Sequence, residues 1–473
     1  MPEGKRAFLK NLYYAFAAQA LSLTLSALIA LLLPKYLGIE EYGYWQLFLF
    51  YSSYVGFFHF GLNDGVYLKF GGIAYDALDK PLIGAQFRFG MLVQSVIALA
   101  VAAAAFYFAP DEARRFVWIV AAVYLLLYNA SLYLGYVFQA TNLTRLHSIS
   151  VILDKCFFMA AIAALLVGGA QNFRAYVALY LVAKGISLAY CMVKGREVAF
   201  APGLPLRRAA RETLDSVKVG ANLMLANIAS MLILGIGRFL IDRVWGIEAF
   251  ARFSLAMQLT SFFLQFIAQV SIVLFPALRR FDETLLSDFY ALMRDALSLF
   301  LPAVFLAYAP VKAVLALWLP QYQDSLSSMA LLLPICLFDG KMQMLCNTYF
   351  KVLRKERVLL KVNMLSMALS FALSLFGVLV IHNLYFVIVS IVVTVAFRSV
   401  ASEIYLGRLL GQKAVGDILM EISLAAAFML LSWFLPPLES SAIFALLYAA
   451  FLFVNRKRAV RAIKALRKVP KST

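Results

Sequence analysis

Five basic residues stand inside long apolar stretches of this 473-residue chain: Lys184, Arg238, Lys312, Lys341 and Arg398. A charge near the middle of a bilayer costs about 2.5 kcal/mol or more, so each requires a wet cavity, an opposite charge or a route to the interface. Lys184, Lys341 and Arg398 lie near the centres of their stretches, where lipid blocks that route. Arg238 and Lys312 lie closer to the ends and are able to snorkel outward. Asp339 and Glu403 are the acids that stand out in the same stretches. Asp339 and Lys341 are two apart, and Arg398 and Glu403 five apart, so neither spacing makes a pair along one helix. Two arrangements remain. Either charges pair between helices, Lys184 with Asp339 for instance, or the surplus of bases lines a cavity that holds an anion. The surplus favours the cavity.

Small residues accompany these bases. Gly185, Gly237 and Gly340 each adjoin one, and Pro334 interrupts the stretch that holds Lys341. Such residues commonly serve helix packing in membranes. They also let a helix bend or unwind beside a binding site, which gives these four positions a candidate role in gating. Gly61-Leu62-Asn63-Asp64-Gly65 reads as a helix end with a similar candidate role.

Other chemistry is missing from the sequence. No G-x-x-x-x-G-K-[ST] loop is present to cradle nucleotide phosphates. His59, His147 and His382 lie in separate segments without ligand spacing. Cys156, Cys191, Cys336 and Cys346 form no C-x-x-C pair, so neither a zinc site nor a disulfide framework is indicated. No cofactor and no metal are expected.

The elements that position the charges follow from composition. The chain is 63% hydrophobic and 14% charged, with a mean hydropathy of +0.84, so most of its surface must face lipid. Fourteen apolar runs approach the roughly 20 residues that cross a bilayer. They are 12–33, 42–62, 87–109, 116–138, 147–168 and 175–193, then 221–241, 250–275, 297–318, 329–350, 362–382 and 385–406, and two shorter runs, 421–436 and 441–455. The net charge of +18 could indicate nucleic acid, but the bases cluster in short loops between runs, as membrane proteins arrange them. No nucleic-acid partner is expected. Lys35, Arg114, Arg115, Arg174, Arg243 and Arg252 fall on one side and five bases fall within spans, leaving 32 of the 43 for the other side. That asymmetry places both termini in the cytoplasm of a multi-pass protein of the inner membrane.

The chain also carries one pattern twice. L-P-K-Y-L-G-I-E-E-Y-G-Y-W-Q-L at Leu33–Leu47 is echoed by I-D-R-V-W-G-I-E-A-F-A-R-F-S-L at Ile241–Leu255. Each copy joins one apolar run to the next. The fold class expected is therefore an all-α integral membrane protein of about 14 transmembrane helices. Two pseudo-symmetric six-helix bundles, 1–193 and 221–410, are joined by a cytoplasmic linker, 194–220, and followed by two additional helices in 411–455 and a basic tail, 456–473. No inter-span segment reaches thirty residues, so a membrane enzyme such as a glycan polymerase or ligase has no loop on which to assemble catalytic groups. An enzyme is not expected.

Lys10–Gln19 (K-N-L-Y-Y-A-F-A-A-Q), Leu33–Trp45 and Gly135–Arg145 (G-Y-V-F-Q-A-T-N-L-T-R) resemble polysaccharide-export flippases of the multidrug/oligosaccharidyl-lipid/polysaccharide exporter superfamily. Gly237–Ala256 and Leu274–Arg280 are similar to that family's spans 7 and 8. The resemblance implies two six-span bundles, a central cavity, and transport of undecaprenyl-diphosphate-linked oligosaccharide, an O-antigen or polysaccharide repeat unit, by alternating access. It implies the bilayer and glycan-assembly proteins as further partners. On this reading Arg238, Lys341, Lys184, Arg398 and Lys312 form the group that binds the diphosphate. The family's Asp-Arg pair in span 7 stands here as Gly237-Arg238, with the nearest acid at Asp242, so the H+ or Na+ coupling implied by the family lacks its usual acid. A lipid II flippase and a multidrug or cation exporter of the same superfamily are the rival readings. The exporter would require an excess of buried acids.

Overall fold

A computed structural model describes residues 3–278, 283–412 and 415–466, with side chains in these ranges except at 3–13, 15–16, 223, 266–278, 283–284 and 462–466. The described residues are helical, with no strand among them. Part of Leu274–Arg280, part of the 411–455 segment and the end of the basic tail lie outside the described residues.

Two compact units divide the chain, Met1–Ile228 and Ala229–Thr473. The first holds α1 (Glu3–Tyr36), α2 (Ile39–Tyr54), α3 (Leu62–Phe70), α4 (Lys80–Phe108), α5 (Glu112–Ala140), α6 (Thr144–Val167), α7 (Phe173–Lys194), α8 (Arg196–Ala199) and the start of α9 (Leu206–Leu278). Within it α4 packs on α5, α6 on α7 and α1 on α6. The second holds the rest of α9, then α10 (Glu283–Phe300), α11 (Tyr308–Trp318), α12 (Gln323–Leu332), α13 (Pro334–Lys341), α14 (Asn347–Val352), α15 (Glu356–Phe376), α16 (Leu384–Leu409), α17 (Val415–Phe434), α18 (Pro437–Val454) and α19 (Arg456–Leu466). There α16 packs on α15 and α13, α17 on α18, and α10 on α19.

In lipid every backbone N–H must find a partner within the chain, and the helix starts supply it locally. Asp79 accepts from the Leu82 N–H at 3.0 Å, with Pro81 in the first turn, and Asp111 accepts from Arg114 N–H at 2.6 Å. Asn172 and Asn383 repeat the arrangement at the starts of α7 and α16.

Among the described residues, eleven helices are long and apolar enough to cross a membrane, or twelve if the bent pair Pro320–Leu332 and Pro334–Val352 counts as one span. Fourteen runs were expected, and the difference arises at breaks in the backbone. The run 42–62 is divided where Phe60 and Gly61 adopt positive φ, 53° and 90°, so α2 spans only 16 residues. The runs 221–241 and 250–275 fall on one helix of 73 residues, α9, whose single non-helical residue is Gly246 at φ 81°, ψ −178°. That combination is open essentially to glycine alone. The two copies of G-I-E thus differ in kind: Gly38, at φ −60°, simply precedes α2, whereas Gly246 turns the chain. The segment 194–220 contains α8, an extended stretch and the first turns of α9.

Gly61 and Gly65 belong to a close contact with that same segment. A Cβ on Gly65 would lie 1.9 Å from the Ser216 carbonyl oxygen, and one on Gly220 would lie 2.0 Å from the Gly61 oxygen. Small residues spaced four apart on both α3 and α9 let backbone meet backbone, as G-x-x-x-G faces do between membrane helices. By contrast, nothing lies within 4 Å of a Cβ added to Gly185. Gly220→Leu is therefore expected to destabilise the detergent-solubilised protein by at least about 1–3 kcal/mol, the usual cost of overpacking, with a lower melting temperature. Gly185→Ala is expected to leave that temperature unchanged or slightly raised; equal behaviour of the two variants would refute the contact.

Candidate functional site

Buried charges gather in both units: around Lys184 in the first, and around Lys341 and Arg398 in the second, where a further network joins Arg294, Asp295, Asp417 and Arg458. In the first unit, Lys184 on α7 points at Asp154 on α6, with Nζ and Oδ2 2.7 Å apart. Asp154 is 3% exposed. Lys155, the next residue, reaches the same Oδ2 at 3.9 Å. Aromatic rings wall the pair: Lys184 sits 5.6 Å from the centre of Tyr128 and Lys155 5.9 Å from that of Tyr180. Tyr180 in turn contacts Trp45, Phe48, Tyr124 and Phe158. Two ammonium groups therefore face one carboxylate, an arrangement with one positive charge in excess. Cation–π contact with tyrosine faces offsets part of its desolvation.

The second unit holds the opposite balance. Lys341 on α13 is fully buried and donates to Glu403 on α16 and Glu421 on α17, both at 2.6 Å. One turn further along α16, Arg398 approaches Asp339 of α13 at 3.7 Å, and Asp339 also accepts from the Gln343 amide at 2.6 Å. Three carboxylates thus meet two bases. Glu403 Oε1 and Arg398 Nε are buried without a hydrogen-bond partner among the described residues.

The remaining two bases are placed differently. Arg238 donates to the Ser254 hydroxyl at 3.2 Å and lies over the Phe250 ring. Lys312 donates to the Tyr308 hydroxyl at 3.1 Å, one turn back on its own helix. Of the glycines, Gly237 is a close-packing point, where an added Cβ would come within 2.4 Å of Ile391. Gly340 is buried in α13, and Pro334 opens that helix at the 43° bend. The structure thus places Lys341 and Arg398 in the second unit, each on its own carboxylates, and Lys184 in the first.

Three members of these clusters escaped the sequence reading. Asp154 and Lys155 stand side by side within the run 147–168, where run length alone does not single them out. In the structure both are well inside α6. Glu421 stands at the edge of its apolar run, yet it is 2% exposed and shares Lys341. The example pairing of Lys184 with Asp339 does not form: Asp339 lies beside Arg398. An acid next to a base inside an apolar run was the signal available, since burying both is costly unless each has a partner.

A family profile described as "Polysaccharide biosynthesis protein" matches residues 8–282. No curated protein matches the chain in sequence. Among solved structures, the fold is similar to an inward-facing multidrug resistance MATE family transporter of the MOP superfamily, with a TM-score of 0.61 and 13% identity over 82% of this chain and 94% of that one. It is similar also to the lipid II flippase MurJ in an inward closed conformation, with a TM-score of 0.63 and 13% identity over 95% of this chain and 99% of that one. At such identity the likeness is one of fold, which many substrates can share. With more than half its length matched by the profile, this helical chain with a MOP-like fold belongs to the polysaccharide biosynthesis protein family.

Proposed function

We propose that this protein is a flippase that carries undecaprenyl-diphosphate-linked oligosaccharide across the cytoplasmic membrane by alternating access, with both termini in the cytoplasm. The observation that carries this reading is the positive excess in the first unit: Lys155 and Lys184 around Asp154, walled by tyrosines. A diphosphate brings the complementary charge, and in a low-dielectric site ammonium–phosphate attraction is far stronger than in water. The tyrosines offer faces for stacking and hydroxyls for sugar. No bond is made or broken, so no catalytic residue is required.

In this proposal the chain crosses the membrane 14 times. The broken run at Phe60–Gly61 counts as one crossing, and Gly246 separates two. The bundles are 1–193 and 221–410, joined by 194–220 and followed by the pair in 411–455 and the basic tail. Lys184 is the first anion contact, with Lys155 added to it. Arg238 and Lys312, half-buried beside aromatic rings, are available to the moving headgroup. Lys341 and Arg398 reach an anion only by releasing a carboxylate, so they act later or respond to protonation of Glu403 or Glu421. Gly185, Gly237, Gly340 and Pro334 are the positions at which helices bend during the cycle.

A second reading, a multidrug or cation exporter, is favoured by one observation: carboxylates outnumber bases around Lys341. The two readings separate in reconstituted vesicles. A lost charge-assisted hydrogen bond costs about 1.5–3 kcal/mol, so Lys155→Gln and Lys184→Gln should each slow flipping of lipid-linked oligosaccharide about tenfold or more, at normal protein level. Wild-type rates in both would remove these lysines from the site, and efflux of an organic cation by the unaltered protein, blocked in Glu421→Gln, would favour the exporter. Lys341→Met is expected to act on stability first, by about 3–5 kcal/mol, because it strands two buried carboxylates. The triple change Lys341→Met, Glu403→Gln, Glu421→Gln should restore the folded yield; failure of the triple to do so would refute the charge argument.

A further inference from the structure

One basic stripe belongs to neither cluster. In the first fifteen residues of α9, 206–220, Arg207, Arg211 and Lys218 recur on one side of the helix, with Arg208 beside them, and all four are exposed. Lys218 is 3.4 Å from Asp215. Arg207, Arg208 and Arg211 have no side-chain partner among the described residues. The stretch precedes the apolar span that begins at Met224. Phe200, Leu214 and Val219 are 68%, 56% and 45% exposed around it. A basic stripe flanked by open apolar side chains is the pattern of a helix that lies at the lipid interface.

The neighbouring side of this helix faces α4 across a groove. Two hollows lie in it, of about 290 Å³ and 150 Å³, and Phe89 lines both. Phe58, Phe60, Val93, Leu214 and Val217 line the larger, and Leu92, Leu204, Leu206 and Ala209 the smaller. His59, Gln94 and Thr213 are polar residues on the larger wall, and Arg88, on the smaller, is already committed to the carbonyls of Ala201 and Pro202 at 2.6 and 3.0 Å. Together the hollows match the lower part of the range of about 300–1,000 Å³ typical of ligand sites, room for one chain segment. The contact of Gly65 and Gly220 with facing backbone holds α9 against α3 at this end.

We propose that this groove is a loading site for the isoprenoid diphosphate end of the transported lipid. The chain lies along Phe89 between α4 and α9, and the diphosphate rests on Arg207 and Arg211, with Arg208 in support. The proposal rests on the flippase reading for the identity of the lipid. Three unpartnered guanidinium groups within little more than one turn suit two linked phosphates better than one, and each presents a fork that matches phosphate oxygens. The apolar trough beside them has room for one stretch of isoprenoid chain.

The test uses the full-length protein in phosphatidylcholine vesicles with a diazirine-bearing polyprenyl diphosphate as probe. Labelling is expected on peptides containing Phe89 and Leu214, competed by unlabelled polyprenyl diphosphate and not by equal phosphatidylglycerol. The combined variant Arg207→Gln, Arg208→Gln, Arg211→Gln should weaken probe binding about tenfold and raise the KM for transport while sparing kcat. Leu214→Trp, which fills the larger hollow, should lower labelling with the arginines intact. No labelling of these peptides, equal competition by phosphatidylglycerol, or unchanged binding in the triple variant would overturn the site. Vesicles that bind the probe in the groove but move no lipid-linked oligosaccharide would instead sink the flippase reading and leave the groove standing.

Discussion

Hydrocarbon offers no water to an ion or an open amide, and that single deficiency shapes most of what is distinctive here. Lys341 is fully buried only because Glu403 and Glu421 approach it from two other helices. Asp154 is tolerated in α6 because Lys184 comes from α7. Each such pair ties together helices that dispersion alone would hold loosely, since lipid tails are as apolar as leucine and supply no hydrophobic force between spans. Pairing of this kind is weak testimony for stability in itself.

The two units answer this constraint with opposite signs. The first keeps a surplus base beside tyrosine rings, and around Lys341 and Arg398 the second sets three carboxylates.

Close backbone contact is the other recurrent device. The Gly61–Gly65 and Ser216–Gly220 faces bring α3 and α9 to a distance that side chains would prevent, and Gly237 does the same against Ile391. Gly246 serves a different need, a kink in α9 at a φ and ψ that other residues resist. Glycines of both kinds look alike in sequence. Gly185, with open space around it, belongs to neither.

Composition and run length by themselves determined a multi-pass helical membrane protein, because the thickness of hydrocarbon translates directly into residues per span. The identity of the costly residues was equally legible: a lysine in the middle of an apolar run announces that something must compensate it. What compensates it was not. Periodicity orders residues around one helix but is silent on which helix lies opposite, so Lys184 with Asp339 was as good a guess as Lys184 with Asp154. Only the packing of α6 on α7, and of α13 on α16, decided between them. The count of spans failed for a related reason. Phe60, Gly61 and Gly246 interrupt the helical backbone through their positive φ values, and hydropathy has no memory of φ.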